Sequence, residues 1–276
     1  MSKKKKKAMR YLITVLMMLV SVSMLIPFFW MLSSSFKRPV DIFTYPIKWM
    51  PNYLYLDNYK YLFEHEDIFR TYFNSIKVSC INVAGACLTS ALAAYAFAKM
   101  KFRGRDLLFL IYISTLMVPV QATYVPKFVL FTQLGLRNTH LALILPGLYA
   151  VLGTFLLRQF FMQIPDAIIE SASMDGARQL TIWWRIMMPM VKPALATFAI
   201  IVFAFHWNDY ENPLIFISNK KLFTIPLALS NFTDENGRMY HYIMALTSIA
   251  IVPIFIVFLV GQRFFIEGMT AGAVKG

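Results

Sequence analysis

Residues 164–180, IPDAIIESASMDGARQL, set two aspartates and a glutamate among alanines, serines and a glycine. Carboxylates on a short helix can make charge-assisted hydrogen bonds to a basic groove. Small neighbours let another protein's surface come close. Pro165 suits a first helical position, and Asp166 and Glu170 suit the first turns, where the helix dipole favours negative charge. Ile168, Ile169 and Ala172 form an apolar side. Gly176 can end the helix because a residue without Cβ takes positive φ freely. A second helical run, LTIWWRIMMP, follows, with Thr181 as candidate cap and Pro189 as a break. Two short helices meeting at a glycine make a rigid, charged knob suited to docking; a plain amphipathic surface helix is the alternative.

A second polar set, FHWNDYENPL, lies inside an apolar run. Counted as one helix from Pro193, Asn208 lies about 22 Å along it, in the outer half of a hydrocarbon core about 30 Å thick. Asn208 and Asn212, four apart, would share a face, with Trp207 and Tyr210 beside them. Amides can pair with hydroxyls, and aromatic rings can stack on sugar C–H faces. The set is therefore a candidate substrate pathway: Trp207, Asn208, Tyr210 and Asn212. Helix packing, contact with a partner chain and an interfacial aromatic belt are the competing readings. Pro213 is expected to break the helix just beyond.

Other chemistries lack their residues. None of the eleven glycines opens a G-x-x-x-x-G-K-[ST] phosphate loop. His65, His140, His206 and His241 are scattered without metal-ligand spacing, and no G-x-S-x-G elbow occurs. Cys80 and Cys87 are separated by about 10.5 Å of helical rise, too far for a disulfide. No cofactor, metal or catalytic residue is expected.

The elements that must position these residues are membrane spans. The 276-residue chain is 58% hydrophobic and 15% charged, against about 45–50% and about 25% for a soluble domain. Six apolar segments qualify as spans, at 11–33, 76–98, 107–125, 141–157, 193–217 and 242–262. In lipid every backbone group must be paired internally, so these are helices. The net charge of +13 gathers at span ends, which disfavours nucleic acid. Lys3 to Lys7, the cluster Lys99 to Arg105, the basic residues of 158–192, and Arg263 with Lys275 fall on one side of a six-span chain. By the positive-inside rule that side is the cytosol, with both termini. The first run is long enough to span and reads as uncleaved. The intervening 34–75 is extracytoplasmic, with a short helix in DNYKYLF whose Tyr59, Leu62 and Phe63 share a face and whose cap is Asp57 or Asn58.

ESASMDGA followed by MMP, between two spans on the cytosolic side, resembles the EAA loop of ATP-binding-cassette importer permeases. Glu170, Ser171, Ala172, Asp175, Gly176 and Pro189 fall within that pattern; Ser171 replaces its usual alanine at nearly constant size. LMVPVQATYVPKFVLFTQLGLRNTHLALILP, FHWNDYENPLIFI and FFIEGMTAGAVKG resemble maltose-type carbohydrate permeases, specifically the MalG-like subunit. The resemblance implies an all-α membrane protein of six transmembrane helices, with a cytosolic EAA coupling loop between spans four and five. It implies a basic N-terminus (1–10), a first span (11–33), an extracytoplasmic segment (34–75), a permease core (76–264, loop 164–192) and a cytosolic tail (265–276). It also implies a non-enzymatic subunit of the cell membrane. This subunit would form a heterodimer with a second permease, take sugar from an extracytoplasmic binding protein, and be driven by two ATPase subunits docked on Glu170 to Gly176. The outside loop 219–240 would reach into the binding protein through its TDENG tip, and GMTAGAVKG would lie near the ATPases. An ion-coupled secondary carrier or channel is the alternative, separated by its energy source.

Overall fold

The computed structural model describes residues 3–234 and 237–273. The chain is mostly helical. Four helical stretches are long and apolar enough to cross a membrane: Met9–Ser35, Ile68–Lys99, Leu141–Gln163 and Tyr240–Phe264. Two bent helix pairs bring the number of candidate spans to as many as six. The chain divides into two compact bodies, 1–68 with 229–252 and 69–228 with 253–276.

The first body contains α1 (Lys3–Ser35), α2 (Asp57–His65), a two-residue hairpin of β1 (Thr233–Asp234) and β2 (Gly237–Arg238), and the start of α14 (Tyr240–Ala273). The apolar window of α1 is uncovered by the rest of the chain, as a lipid- or partner-facing helix requires. Beyond α1, Lys37 is buried; its ammonium donates to the Lys48 carbonyl at 2.6 Å and lies 4.1 Å from the Trp30 ring centre. Burial pushes this amine below its ordinary pKa. Helix α2 begins at Asp57 without a side-chain cap. Asn58 is instead buried and donates to the carbonyls of Ser35 and Lys37 at 2.8 and 2.9 Å. The expected cap is thus used to hold an irregular segment that has no ladder of its own. Tyr61 stacks between His65 and Tyr242, with centroids 4.6 and 4.2 Å away. The TDENG tip falls partly outside the described residues.

The second body contains α3 (Ile68–Lys99) from Phe69 onward, α4 (Arg105–Ser114), α5 (Tyr124–Gln133), α6 (Leu141–Ile144) and α7 (Val151–Gln163). It continues with α8 (Asp166–Met174), α9 (Gln179–Ile182), α10 (Met188–Met190), α11 (Lys192–Trp207), α12 (Glu211–Phe216) and α13 (Ile225–Ala228), then the end of α14. Three expected spans are interrupted. The segment at 107–125 splits into limbs Arg105–Met117 and Val120–Gln133, bent by 94°. Pro119 removes a donor at this break and forces its predecessor Val118 into extended backbone. The segment at 141–157 passes through a tight turn at Leu145–Leu148 and extended Tyr149 and Ala150 before α7. The segment at 193–217 stops at Trp207 and restarts at Glu211. Apolar content marks a span but does not register these breaks. The last helix runs without interruption from Tyr240 through Ala273.

Candidate coupling segment and pathway

The coupling segment begins where α7 ends at Gln163. Ile164 and Pro165 are extended, and α8 starts at Asp166, so Pro165 caps the helix from one position earlier than expected. The end of α8 closes with a paired hydrogen-bond motif. Gly176 N–H donates to the Ser173 carbonyl at 3.1 Å, and Ala177 N–H to the Ala172 carbonyl at 3.0 Å. Gly176 sits at φ +81°, a value that strains any residue with a Cβ, so the turn selects glycine. The next helix is capped at Arg178 without a side-chain bond. Thr181 lies inside α9 rather than at its cap, because the reversal at Gly176 delays the restart only to Gln179. Residues Trp183–Met187 form a π turn, and Pro189 lies within α10. The chain turns two residues later, at Val191, with an 81° bend into α11. Pro189 stands near the end of the uninterrupted helical run Gln179–Met190, just after the π turn, and does not break the chain where it stands.

One side of this segment is core. Ala172, Ile182, Trp183, Met187 and Val191 are buried with Ala91, Ala94, Tyr95, Leu157 and Phe161, and Ile168 and Ile169 pack against them. The other side is open. Glu170, Ser171, Asp175 and Pro189 are exposed, as are the large apolar side chains of Met174, Leu180 and Trp184. The open side of this segment thus carries carboxylates and large apolar groups together. A groove of about 350 Å3 runs beside it, lined by Lys99, Lys101, Asp166, Glu170 and Gln179 among others.

The segment is tied to the end of α3. Lys99 Nζ, almost fully buried, donates to the Ile164 carbonyl and to Asp166 Oδ1, both at 2.5 Å. The Lys99 ammonium holds the Asp166 carboxyl below its usual range. Tyr95 hydroxyl donates to Gln179 Oε1 at 2.8 Å, and Trp183 Nε1 to the Ala91 carbonyl at 3.4 Å. Arg158 of α7 donates to the Phe97 carbonyl at 3.2 Å and pairs with Asp106 at 3.5 Å. In the sequence Lys99 reads only as part of a positive flank. Its signal was the charge's position at a span end, which says which side it occupies but not what it holds.

The four candidate pathway residues fall on different structures. Trp207 is buried, stacked on Phe203 at 5.5 Å and edge-on to Tyr72 at 5.6 Å. Asn208 ends α11, exposed, its amide donating back to the Ala204 carbonyl at 2.8 Å. Asp209 accepts from the Asn212 N–H at 3.2 Å and the Asn212 side-chain amide at 2.9 Å. Tyr210 is exposed, and Tyr124 donates to the neighbouring Glu211 carboxylate. Asn208 and Asn212 therefore do not share one helical face. Pro213 lies inside α12 and has no N–H to give residue 209, so the helix opens upstream of it, not beyond. The polar residues close the two helix ends thus exposed. Asn208 and Tyr210 still face outward, so half of the set remains available to a ligand.

Residues 86–270, more than half of the chain, match the family model described as binding-protein-dependent transport system inner membrane component. The chain belongs to this family of membrane permeases. The permease is 32% identical over 279 residues to the arabinooligosaccharides transport system permease protein AraQ of Halalkalibacterium halodurans, covering all of both chains. It is 31% identical to the melibiose/raffinose/stachyose import permease protein MelC of Bacillus subtilis, covering 98% of each. Its fold matches a chain of a bacterial ABC transporter involved in import of the acidic polysaccharide alginate, with TM-score 0.84 and 22% identity, over 96% of this chain and 99% of that one.

Proposed function

We propose that the chain is one permease subunit of an ATP-binding-cassette importer for a sugar or oligosaccharide. The observation that carries this reading is its end-to-end match to relatives named for arabinooligosaccharide and melibiose/raffinose/stachyose transport. In this reading each bent helix pair counts as one span, making six, and both termini lie in the cytosol. A second permease completes the path, a binding protein delivers the sugar outside, and two ATPase subunits hydrolyse ATP inside.

The segment 164–192 docks on an ATPase. Glu170, Ser171 and Asp175 face the partner, Ala172 packs the helix on the core, and Gly176 and Pro189 shape its turns. Binding of ATP to the closed ATPase state biases the spans by its differential affinity for that state. Asn208 and Tyr210 contact the passing sugar. Trp207 and Asn212 hold the helix ends that present them.

The test is co-purification of the permease with its partners, followed by ATPase rate in proteoliposomes with and without loaded binding protein. Stimulation by one sugar-loaded protein, lost in Glu170→Lys with the permease still inserted, is the expected result. Solute flux that follows an ion gradient with no associated ATPase would replace the importer reading by a carrier.

A further inference from the structure

Helix α3 is bonded to its neighbours at both ends and in the middle. It has no proline and runs 32 residues, about 48 Å at 1.5 Å per residue. One end carries the Lys99 and Tyr95 bonds to the coupling segment. At the other, buried Asn74 donates to the carbonyls of Lys221 and Phe223, each at 3.0 Å, and Ser75 Oγ accepts from the Ile225 N–H at 2.8 Å. These bonds hold residues 221–225, the junction between the short turn Lys220–Leu222 and α13.

Between the ends, α3 repairs the interrupted span. Thr89 donates to the Leu148 carbonyl at 2.7 Å, Ser90 to the Ala150 carbonyl at 3.1 Å, and Asn82 to the Leu143 carbonyl at 3.3 Å. Asn82 Nδ2 also lies 3.1 Å from His206 Nδ1. Sliding α3 past α6 and α7 would break all three bonds, and the Leu143 carbonyl would lose its partner in buried Asn82. A helix held this way moves as one body with the 143–150 stretch when its ends are displaced.

We propose that α3 is a transmission rod between the coupling segment and residues 221–225, with Lys99 and Asn74 as its positioning residues. The two lie 25 residues apart, about 37 Å along the helix. The proposal rests on the importer reading, in which these ends face the ATPase and the outside. A displacement of α8 pulls on Lys99, shifts α3, and moves the 221–225 segment through Asn74 and Ser75. Helix α3 is then the two-position element that coupling between distant sites requires.

The test uses the complex captured from cells through an affinity tag on this chain and placed in nanodiscs. Hydrogen exchange is followed in peptides spanning 218–228 with and without MgATP and orthovanadate. In the wild type, exchange there is expected to change by about fivefold or more. Lys99→Met removes that response, whereas Lys99→Arg and Lys101→Met, which leave a cation at 99, keep it. Asn74→Leu removes the response in 218–228 but leaves that of 166–177. If Lys99→Met does not assemble, Tyr95→Phe, which lacks only the bond to Gln179, weakens the response in its place. A full response in Lys99→Met, or in Tyr95→Phe when that variant stands in, overturns the rod. So does a full response in Asn74→Leu, or an equal loss in Lys101→Met. A wild-type complex without MgATP hydrolysis instead overturns the importer reading.

Discussion

At the scale of single residues, the ion pair of Lys99 with Asp166 gives the coupling segment a defined pH response. The folded carboxyl is held below its usual pKa by the Lys99 hydrogen bond and charge. A group depressed in this way stabilises the fold fully above its unfolded pKa, and the contribution disappears as pH falls through the lower folded value. Exchange protection of the amides at 166–170 is therefore expected to hold at neutral pH and to fall below the ordinary carboxylate range. Asp166→Asn flattens that acid limb, and an unchanged profile would show that the pair does not secure the helix start. The fifth-span residues separate by role. Trp207→Ala removes a buried ring stacked on Phe203 and edge-on to Tyr72 and is expected to cost about 3–5 kcal/mol, read as a lower melting temperature. Asn208→Ala leaves the melting temperature nearly in place and changes the KM for sugar. Identical transport kinetics would assign Asn208 to capping alone.

Among elements, the broken span at 141–163 depends on close approach. A Cβ on Gly147 would lie 2.5 Å from the Asn82 side-chain amide, and one on Gly153 would lie 2.0 Å from the Phe198 ring. Gly147→Ala must displace Asn82, which then leaves the Leu143 carbonyl, and Gly153→Ala must displace Phe198. Each is expected to destabilise by about 1–3 kcal/mol through overpacking, measured by thermal unfolding of the detergent-solubilised permease. Wild-type melting of both variants would show that the glycines are incidental. The short helices of the coupling segment were readable because Gly176 and the small residues act within one or two turns. Their true caps were not, since Arg178 and Pro165 occupy cap positions through the path of the chain rather than through a side-chain oxygen.

For the molecule as a whole, the proposed importer reading has the loop at 219–240 and the segment 164–192 answer to partners on opposite faces of the membrane. Deleting the hairpin at 233–238 is expected to abolish stimulation of the complex by its loaded binding protein, read as the ratio of ATPase rates with and without that protein. Full stimulation without the hairpin would make it an ordinary surface turn. The uncovered window of α1 and the exposed Met174, Leu180 and Trp184 fit a subunit whose apolar surfaces are completed by lipid and by other chains.

The sequence by itself determined that the chain is a multi-pass helical membrane protein, because hydrocarbon admits only long apolar stretches with internally paired backbone. It also marked 164–180 as a short helix that turns at Gly176, because small residues and a glycine at short spacing act locally. Only the tertiary structure decided what the polar residues within the spans are for. Asn74, Asn82, Thr89, Ser90 and Lys99 each satisfy backbone groups 59 or more residues away, and Asp209 and Asn212 close a helix opened by Pro213. Hydrophobic periodicity marks which side chains avoid water. It carries no record of which distant carbonyl a buried amide will meet, since that partner exists only once the helices have packed.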